Sequence, residues 1–288
     1  MSLNLSANRR LSEFSTFGIG GPIRYFMEAK SFDDMEEGLA FARGEKLPFL
    51  ILGKGSNCLF SDEGFAGLAI LNKIDFCEWE GGSVRAGAGY SFSLLGVQTA
   101  RKGFSGLEFA SGIPASVGGA VFMNAGANGK ETCDPLASVL YLHVDGAKKE
   151  YRRDELFFQY RKSPFQAMQG AILAASFALT PLMEARQKQL QIIDHRMKTQ
   201  PLKEKSAGCV FRNPTPDVAA GALIDRCGLK GLAVGGAKVS EIHANFIVNH
   251  TQATAHDVGA LIREIQARVY EQTGIHLEPE IRIFPDGE

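Results

Sequence analysis

Ser111-Gly-Ile-Pro-Ala-Ser-Val-Gly-Gly-Ala120, followed at once by Asn124-Ala-Gly-Ala127, is the stretch on which the reading of this chain turns. Glycines, small side chains and one proline crowd into a short span, which lets backbone come close to a large flat ligand. A second glycine-rich segment, Leu52-Gly-Lys-Gly-Ser-Asn57, follows directly on the apolar run Phe49-Leu-Ile-Leu52. Its N–H groups can converge on one concavity and hold an anion. It is not a Walker loop, which would end in Gly-Lys-Ser/Thr, and it lacks the third glycine of the Rossmann fingerprint. Taken alone it reads as a tight surface turn. With a third segment, Phe17-Gly-Ile-Gly-Gly-Pro22, the loops together suggest an extended dinucleotide rather than a single phosphate.

Around these loops, strand-like and helix-like segments alternate. Asp33 to Arg43 reads as a helix, with Ser31 as its cap and Asp34 three residues on, and it leads into the strand Phe49–Leu52. Leu68–Leu71, Ser83–Ala86, Val139–Val144, Ala171–Leu179 and His243–Val248 read as strands. Ser91–Arg101, Met183–Lys198, Asp217–Cys227 and Thr254–Gln272 read as helices, the second strongly polar and closed by Pro201. A final strand is expected over Leu277–Phe284, with Glu278, Glu280 and Arg282 on one face and Leu277, Ile281 and Ile283 on the other. There is no internal repeat and no low-complexity linker, so domain borders follow changes of pattern, near Ile74 and near Asp194.

Composition narrows the classes. A chain of 288 residues, 45% hydrophobic with net charge -1, has room for two or three compact units of about 100 residues. Basic and acidic residues nearly cancel and no dense Lys/Arg run appears, which excludes nucleic acid as an expected partner. Met1 to Phe17 is polar and lacks the apolar core of a signal peptide, and runs such as Ile172–Leu179 are far short of the roughly 20 residues that span a bilayer. The five cysteines (58, 77, 133, 209 and 227) contain no Cys-x-x-Cys pair. Reduced thiols in a cytoplasm, with no metal site, are therefore expected.

Two polar signatures remain. Ser206-Ala-Gly-Cys-Val-Phe-Arg-Asn-Pro214 places a thiol after a glycine and ahead of a polar turn; Cys209 there is either a small core hydrophobe or a proton-transfer group. Tyr160-Arg-Lys-Ser-Pro-Phe165 flanks Arg161 with aromatic residues, which suits a bidentate clamp on a carboxylate and equally a surface arginine lying over Tyr160.

The combination resembles a known family. Thr16–Pro22, Leu52–Asn57 with Asp62 and Gly64 just after, Gly112-Ile-Pro with Gly118-Gly-Ala and Met123-Asn-Ala-Gly126, Tyr160-Arg161, Ser206-Ala-Gly208 with Phe211-Arg-Asn-Pro214, Gly235–Ser240 with His243–Asn249, and Leu277-Glu-Pro-Glu280 are collinear, over nearly the whole chain, with the motifs of the UDP-N-acetylenolpyruvoylglucosamine reductases. The resemblance implies an α+β protein: a two-part FAD-binding domain of the vanillyl-alcohol oxidase type and a C-terminal α+β substrate-binding domain. Residues 1–74, completed by a C-terminal strand over 276–288, and residues 75–194 would be the two FAD-binding parts, and 195–275 the substrate domain. It implies a cytoplasmic flavoenzyme of peptidoglycan precursor synthesis. Its non-covalent FAD is reduced by NADPH and delivers hydride to the enolpyruvyl group of a small-molecule substrate, UDP-N-acetylglucosamine enolpyruvate, with no membrane partner.

The FAD contacts implied are Gly53, Lys54, Gly55, Ser56 and Asn57, with Ser111, Gly112, Ile113, Pro114, Gly118, Gly119, Asn124 and Gly126. Hydride addition to the methylene carbon puts negative charge on the α-carbon and carboxylate, which calls for a clamp and a proton donor. Arg161 and Glu280 match the family's charged catalytic positions. The donor position, a serine in better-known members, is Cys209; a thiol, with a reference pKa of about 8.5, is the stronger acid. Lys198, Asn213 and His243, with Arg161, are expected to touch substrate. The short link after Arg161 leaves no room for the substrate-covering tyrosine insertion of longer members, so a compact subtype is expected. Two other readings stay open: an oxidase of the same fold acting on a small alcohol or sugar, and a non-catalytic nucleotide-binding module.

Overall fold

A computed structural model describes residues 4–284. The last four residues of the strand expected over 276–288 lie outside that range. The chain forms two compact units: residues 4–7, 25–54 and 66–195 make the first, and residues 8–24, 55–65 and 196–284 the second.

The first unit contains two larger sheets and two short two-stranded pairings, Phe104–Ser105 with Thr180–Pro181 and Gly126–Ala127 with Lys130–Glu131. In the smaller of the two sheets, Phe65–Asn72 lies between Ile23–Ala29 and Phe49–Leu52, the last pair parallel. Helix α1 (Phe32–Gly44) starts at a capping box, Ser31 Oγ accepting from Asp34 N while the Asp34 carboxylate accepts from Ser31 N. It buries Met35, Leu39 and Ala42 with Met27, Leu68 and Ile70. The larger sheet is antiparallel, in the order Lys148–Arg152, Leu136–His143, Gly170–Ala178, Ser83–Gly87, Cys77–Glu80. Helices α2 (Phe92–Arg101) and α3 (Val117–Met123) bury Phe92, Leu95, Val117, Ala120 and Val121 in one core with Val84, Val139 and Phe177. Both begin at serine caps, Ser91 and Ser116. Helix α4 (Ala185–Thr199) is polar, as its sequence requires, and the division between units falls inside it.

The second unit is an antiparallel sheet in the order Ser206–Cys209, Phe246–Asn249, Ala237–Val239, Ala233–Val234, packed by helices α5 (Ala220–Arg226) and α6 (Ala255–Thr273). Along α6 the residues Val258, Leu261, Ile262, Ile265 and Val269 recur at helical spacing and are all buried. Each such side chain contributes roughly 1.5–3 kcal/mol by leaving water. Thr254 and Asp257 form the capping box, and Gly274, at φ +70°, ends the helix.

Three sequence expectations are corrected. The final strand is confined to Arg282–Phe284, paired in parallel with Cys58–Phe60. Residues 277–281 form no ladder strand; Pro279 makes a single antiparallel bridge with Phe211. Helix α5 begins at Ala220 rather than Asp217, since Thr215 and Val218 pair in a turn. The strand expected from His243 begins at Phe246, whose N–H turns back to the His243 carbonyl.

Leu261 has no exposed surface and sits at the centre of the second unit's core. Leu261→Ala is expected to cost about 2–5 kcal/mol, measured as a shift of the urea midpoint at unchanged m-value; a loss under 1 kcal/mol would contradict this packing.

Candidate active site

In the first unit the expected flavin residues gather around Ser116. Its Oγ caps α3 by accepting from Gly119 N at 3.2 Å. A Cβ on Gly53 would meet only Ser116, its Oγ at 2.4 Å, and a Cβ on Gly119 would meet only that Oγ, at 3.3 Å; the space beyond both is open. Gly118 differs: its N–H binds the Ala88 carbonyl at 2.8 Å and a Cβ would strike Ala88 Cβ at 2.9 Å. Gly118 therefore packs the helix on the sheet, while Gly53 and Gly119 leave a surface bare of side chains.

Above this surface, Gly112 takes φ +84° and its N–H is fixed by Ser93 Oγ at 2.7 Å. The Ile113-Pro114 turn closes with Ala115 N on the Ile113 carbonyl. Ser111 is fully buried, and its Oγ has no hydrogen-bond partner. An orphaned hydroxyl costs roughly 1–3 kcal/mol, which a polar ligand entering the loop would recover. Lys54 Nζ donates to Ser91 Oγ at 2.9 Å, and burial holds its ammonium below the usual lysine range. A dinucleotide fits this set: a bare backbone cradle, an orphaned hydroxyl and one cation.

Asn124 behaves otherwise. It is fully buried at φ +43°, and its Nδ2 donates to Glu131 Oε2 at 2.8 Å and to the Gln159 carbonyl at 3.0 Å. Its Oδ1 accepts from Cys133 N. Both amide donors are spent inside the protein, so the side chain has no N–H left to donate to a cofactor. Arg161 lies on the neighbouring turn, also left-handed at φ +58°. Its Nη2 donates to the Gly126 carbonyl at 3.1 Å and its guanidinium lies over the Tyr160 ring at 5.0 Å. The stack on Tyr160 is the second of the two sequence readings of Tyr160-Arg161, and it orients the guanidinium.

In the second unit, Gly55 takes φ +58° with a hypothetical Cβ 1.9 Å from the Phe14 carbonyl, so no other residue fits. Asn57 Nδ2 donates to the Glu280 carbonyl at 3.3 Å, and its own carbonyl accepts from Arg282 N. Cys209 ends the strand Ser206–Cys209, which slips by one residue against Phe246–Val248. The slip centres on Gly208 at φ +76°, a bulge of the kind that re-aims the following side chain. The chain then runs beside Glu278–Glu280: Glu280 N donates to the Val210 carbonyl at 2.6 Å, and Arg212 N to the Glu278 carbonyl at 2.9 Å. Cys209 and Glu280, 71 positions apart in the sequence, are thereby brought into adjacent segments.

Of the remaining expected substrate residues, Asn213 and His243 both lie at the start of α5. Lys198 is exposed near the end of α4. Asn213 uses Oδ1 to accept from Ala220 N, completing the otherwise bare N-terminus of α5. His243 is half-buried, its Nδ1 accepting from Asn245 N at 3.2 Å, and burial pushes its pKa down. Arg196 escaped the sequence reading. Its Nε is buried without a partner, as are Gln200 Oε1 and Arg212 Nε. Burial lowers its pKa, and a charge on Cys209 would act on it in the opposite sense. Only its seat on a polar helix beside Lys198 was visible in sequence, and that pattern marks a solvated face equally well. Among the described residues no cluster of His, Cys, Asp and Glu could hold a metal, and no helix is long and apolar enough to cross a membrane.

Residues 200–284 match the family model for the C-terminal domain of UDP-N-acetylenolpyruvoylglucosamine reductase, and residues 23–148 match that of an FAD binding domain. The UDP-N-acetylenolpyruvoylglucosamine reductase of Protochlamydia amoebophila is 58% identical over 279 residues, covering 96% of this chain and 93% of the relative. The chain belongs to this reductase family. The reductase of Chlamydia muridarum is 48% identical over 276 residues, again 96% of this chain and 93% of the relative. The crystal structure of the Thermus caldophilus reductase superposes with a TM-score of 0.83 at 38% identity, covering 99% of this chain and all of that one. Membership extends over both units, so cradle and thiol belong to one architecture, and the plain nucleotide-binding reading is set aside.

Gly119→Val should give a protein with unchanged far-ultraviolet circular dichroism that is purified without flavin, because the added carbons enter the bare cradle and no neighbouring backbone; retention of one FAD per chain would remove Gly119 from it. Because folding lowers the His243 pKa, the unfolded chain binds the extra proton below the ordinary histidine value of about 6.5. Stability should therefore fall as pH drops through that value toward the lower folded pKa, and His243→Gln should flatten the dependence of the melting temperature between about pH 7 and 5.

Proposed function

We propose that this chain catalyses the reduction of UDP-N-acetylglucosamine enolpyruvate to UDP-N-acetylmuramate by NADPH in peptidoglycan precursor synthesis, in the cytoplasm, with non-covalently bound FAD. Residues 1–74 with 276–288, and residues 75–194, would hold the flavin, and 195–275 the substrate. FAD, when bound, supplies the two-electron relay between NADPH and the enolpyruvyl double bond. Gly53, Gly55, Gly119 and the Ser111–Pro114 loop hold it through backbone and the Ser111 hydroxyl.

The remaining chemistry belongs to the chain. Hydride arriving at the methylene carbon leaves a pair of electrons on the α-carbon, delocalised into the carboxylate. Arg161 holds that carboxylate in its planar fork. Glu280, carrying a proton, donates a hydrogen bond to the developing enolate. Cys209 gives the Sγ proton to the α-carbon and is left as a thiolate, to be reprotonated from solvent. Arg196 supplies positive charge beside that thiolate, and the unpartnered Arg212 Nε and Gln200 Oε1 suit the polar body of the nucleotide. What supports this assignment is the backbone bond from Glu280 N to the Val210 carbonyl, which sets the segment of the acid beside that of the thiol. An oxidase of small alcohols has no use for that pairing.

The decisive measurement separates the half-reactions. Cys209→Ala should keep flavin reduction by NADPH and slow reoxidation by substrate about a hundredfold or more, on the scale of a lost proton donor. Cys209→Ser should retain turnover and move the alkaline limb of the rate profile upward, since a hydroxyl does not ionise in that range. Near-wild-type reoxidation in the alanine variant would sink the assignment of the thiol.

A further inference from the structure

Gln166 carries no chemistry that a sequence would advertise, yet its side chain joins the Arg161 turn to the end of α3. Its Nε2 lies 2.9 Å from the Phe122 carbonyl oxygen and 3.1 Å from that of Arg161, with Met123 Sδ at 3.8 Å. A primary amide has two N–H donors, and the two carbonyls account for both. Ser163 Oγ reaches the same Phe122 carbonyl at 2.7 Å. On its other side the turn is closed by reciprocal bonds between Gln159 and Lys162, and the Gln159 carbonyl also accepts from Asn124.

This bracing has a reason in the backbone. Arg161 is left-handed at φ +58°, a conformation that a long L side chain keeps only when its surroundings impose it. A return to negative φ would rotate the Cα–Cβ bond and carry the guanidinium away from the Gly126 carbonyl and the Tyr160 ring that orient it. The Arg161 carbonyl, one bond from the strained torsions, is the point at which Gln166 holds the turn.

We propose that Gln166 is a positioning residue for substrate reduction: by donating to the Arg161 and Phe122 carbonyls it locks the left-handed turn that presents Arg161 to the substrate carboxylate. This rests on the assignment of Arg161 as the carboxylate clamp, and the test distinguishes failure of the one from failure of the other. Gln166→Met keeps length and removes both donors, whereas Gln166→Lys restores N–H donors on a flexible side chain one bond longer.

In the holoenzyme, Gln166→Met should retain one FAD per chain and the wild-type rate of flavin reduction by NADPH, while reoxidation by substrate slows about tenfold. By titration calorimetry, UDP-N-acetylmuramate, which carries the carboxylate, should bind about tenfold more weakly, the scale of one lost hydrogen bond. UDP-N-acetylglucosamine, which lacks the carboxylate, should bind as to wild type, and Gln166→Lys should recover most of both losses. Arg161→Ala runs alongside. If it leaves reoxidation and product affinity intact, the clamp assignment itself fails. If Arg161→Ala is impaired while Gln166→Met is not, or if Gln166→Met weakens both nucleotides or loses flavin, the positioning role is overturned. In the Arg161→Ala background, Gln166→Met should weaken product binding no further; an additive loss there would overturn it too.

Discussion

The side-chain amide of Asn245 holds the second unit's chemistry in place. It accepts from Phe211 N at 2.9 Å and donates to the Phe211 carbonyl at 2.8 Å, while its own backbone carbonyl takes Val210 N. Almost wholly buried, it acts as an added piece of strand for a segment that has just left its ladder at the Gly208 bulge. With Val210 and Phe211 fixed from that side, the Val210 carbonyl is free to take the Glu280 N–H and bring the C-terminal segment alongside. Breaking a buried reciprocal pair would strand two backbone groups at about 1–3 kcal/mol each, and Cys209 and Glu280 would lose their common frame.

The first unit solves the same problem with a different amide. Asn124 ends α3 in the left-handed conformation, which asparagine tolerates better than most residues, and spends its side chain on Glu131, Gln159 and Cys133. The end of the cradle helix and the Arg161 turn are thus fixed to one point. In each unit a residue with no chemistry of its own is buried to make bonds that a strand or helix would otherwise provide.

That division explains what could be read from sequence. Helices α1, α2 and α6 were legible because their serine or threonine caps and apolar periodicity are local, and the glycine loops because few residues other than glycine reach φ +84° at 112 or fit against a carbonyl at 55. Arg161 and Cys209 were marked locally, each with a plain reading beside the chemical one, and resemblance chose between them; Glu280 was legible through resemblance alone. Asn124 was read as a flavin contact because it follows the glycines; its amide turns inward instead. Asn245, Gln166 and Arg196 were missed, because each acts through partners fixed by the fold. The strand expected over Leu277–Phe284 was too long because its partners are set by the fold: Pro279 bridges Phe211 singly, and a ladder forms only where Arg282–Phe284 meet Cys58–Phe60.

Burial of polar groups finally separates structure from site. Asn72, Asn124, Asn245, Thr99, Thr132 and Ser163 are buried with their bonds made inside the protein. Six side-chain atoms among the described residues are buried without partners, and four of them are Ser111 Oγ in the loop proposed to meet flavin, Arg196 Nε and Gln200 Oε1 at the C-terminal end of α4, and Arg212 Nε three residues after Cys209. The other two, Tyr141 Oη and Gln189 Nε2, lie in the larger sheet of the first unit and on α4. A fold selected for stability alone would satisfy or remove such atoms. Each such atom costs roughly 1–3 kcal/mol while unpaired, so a ligand group that bonds to it gains that much in binding.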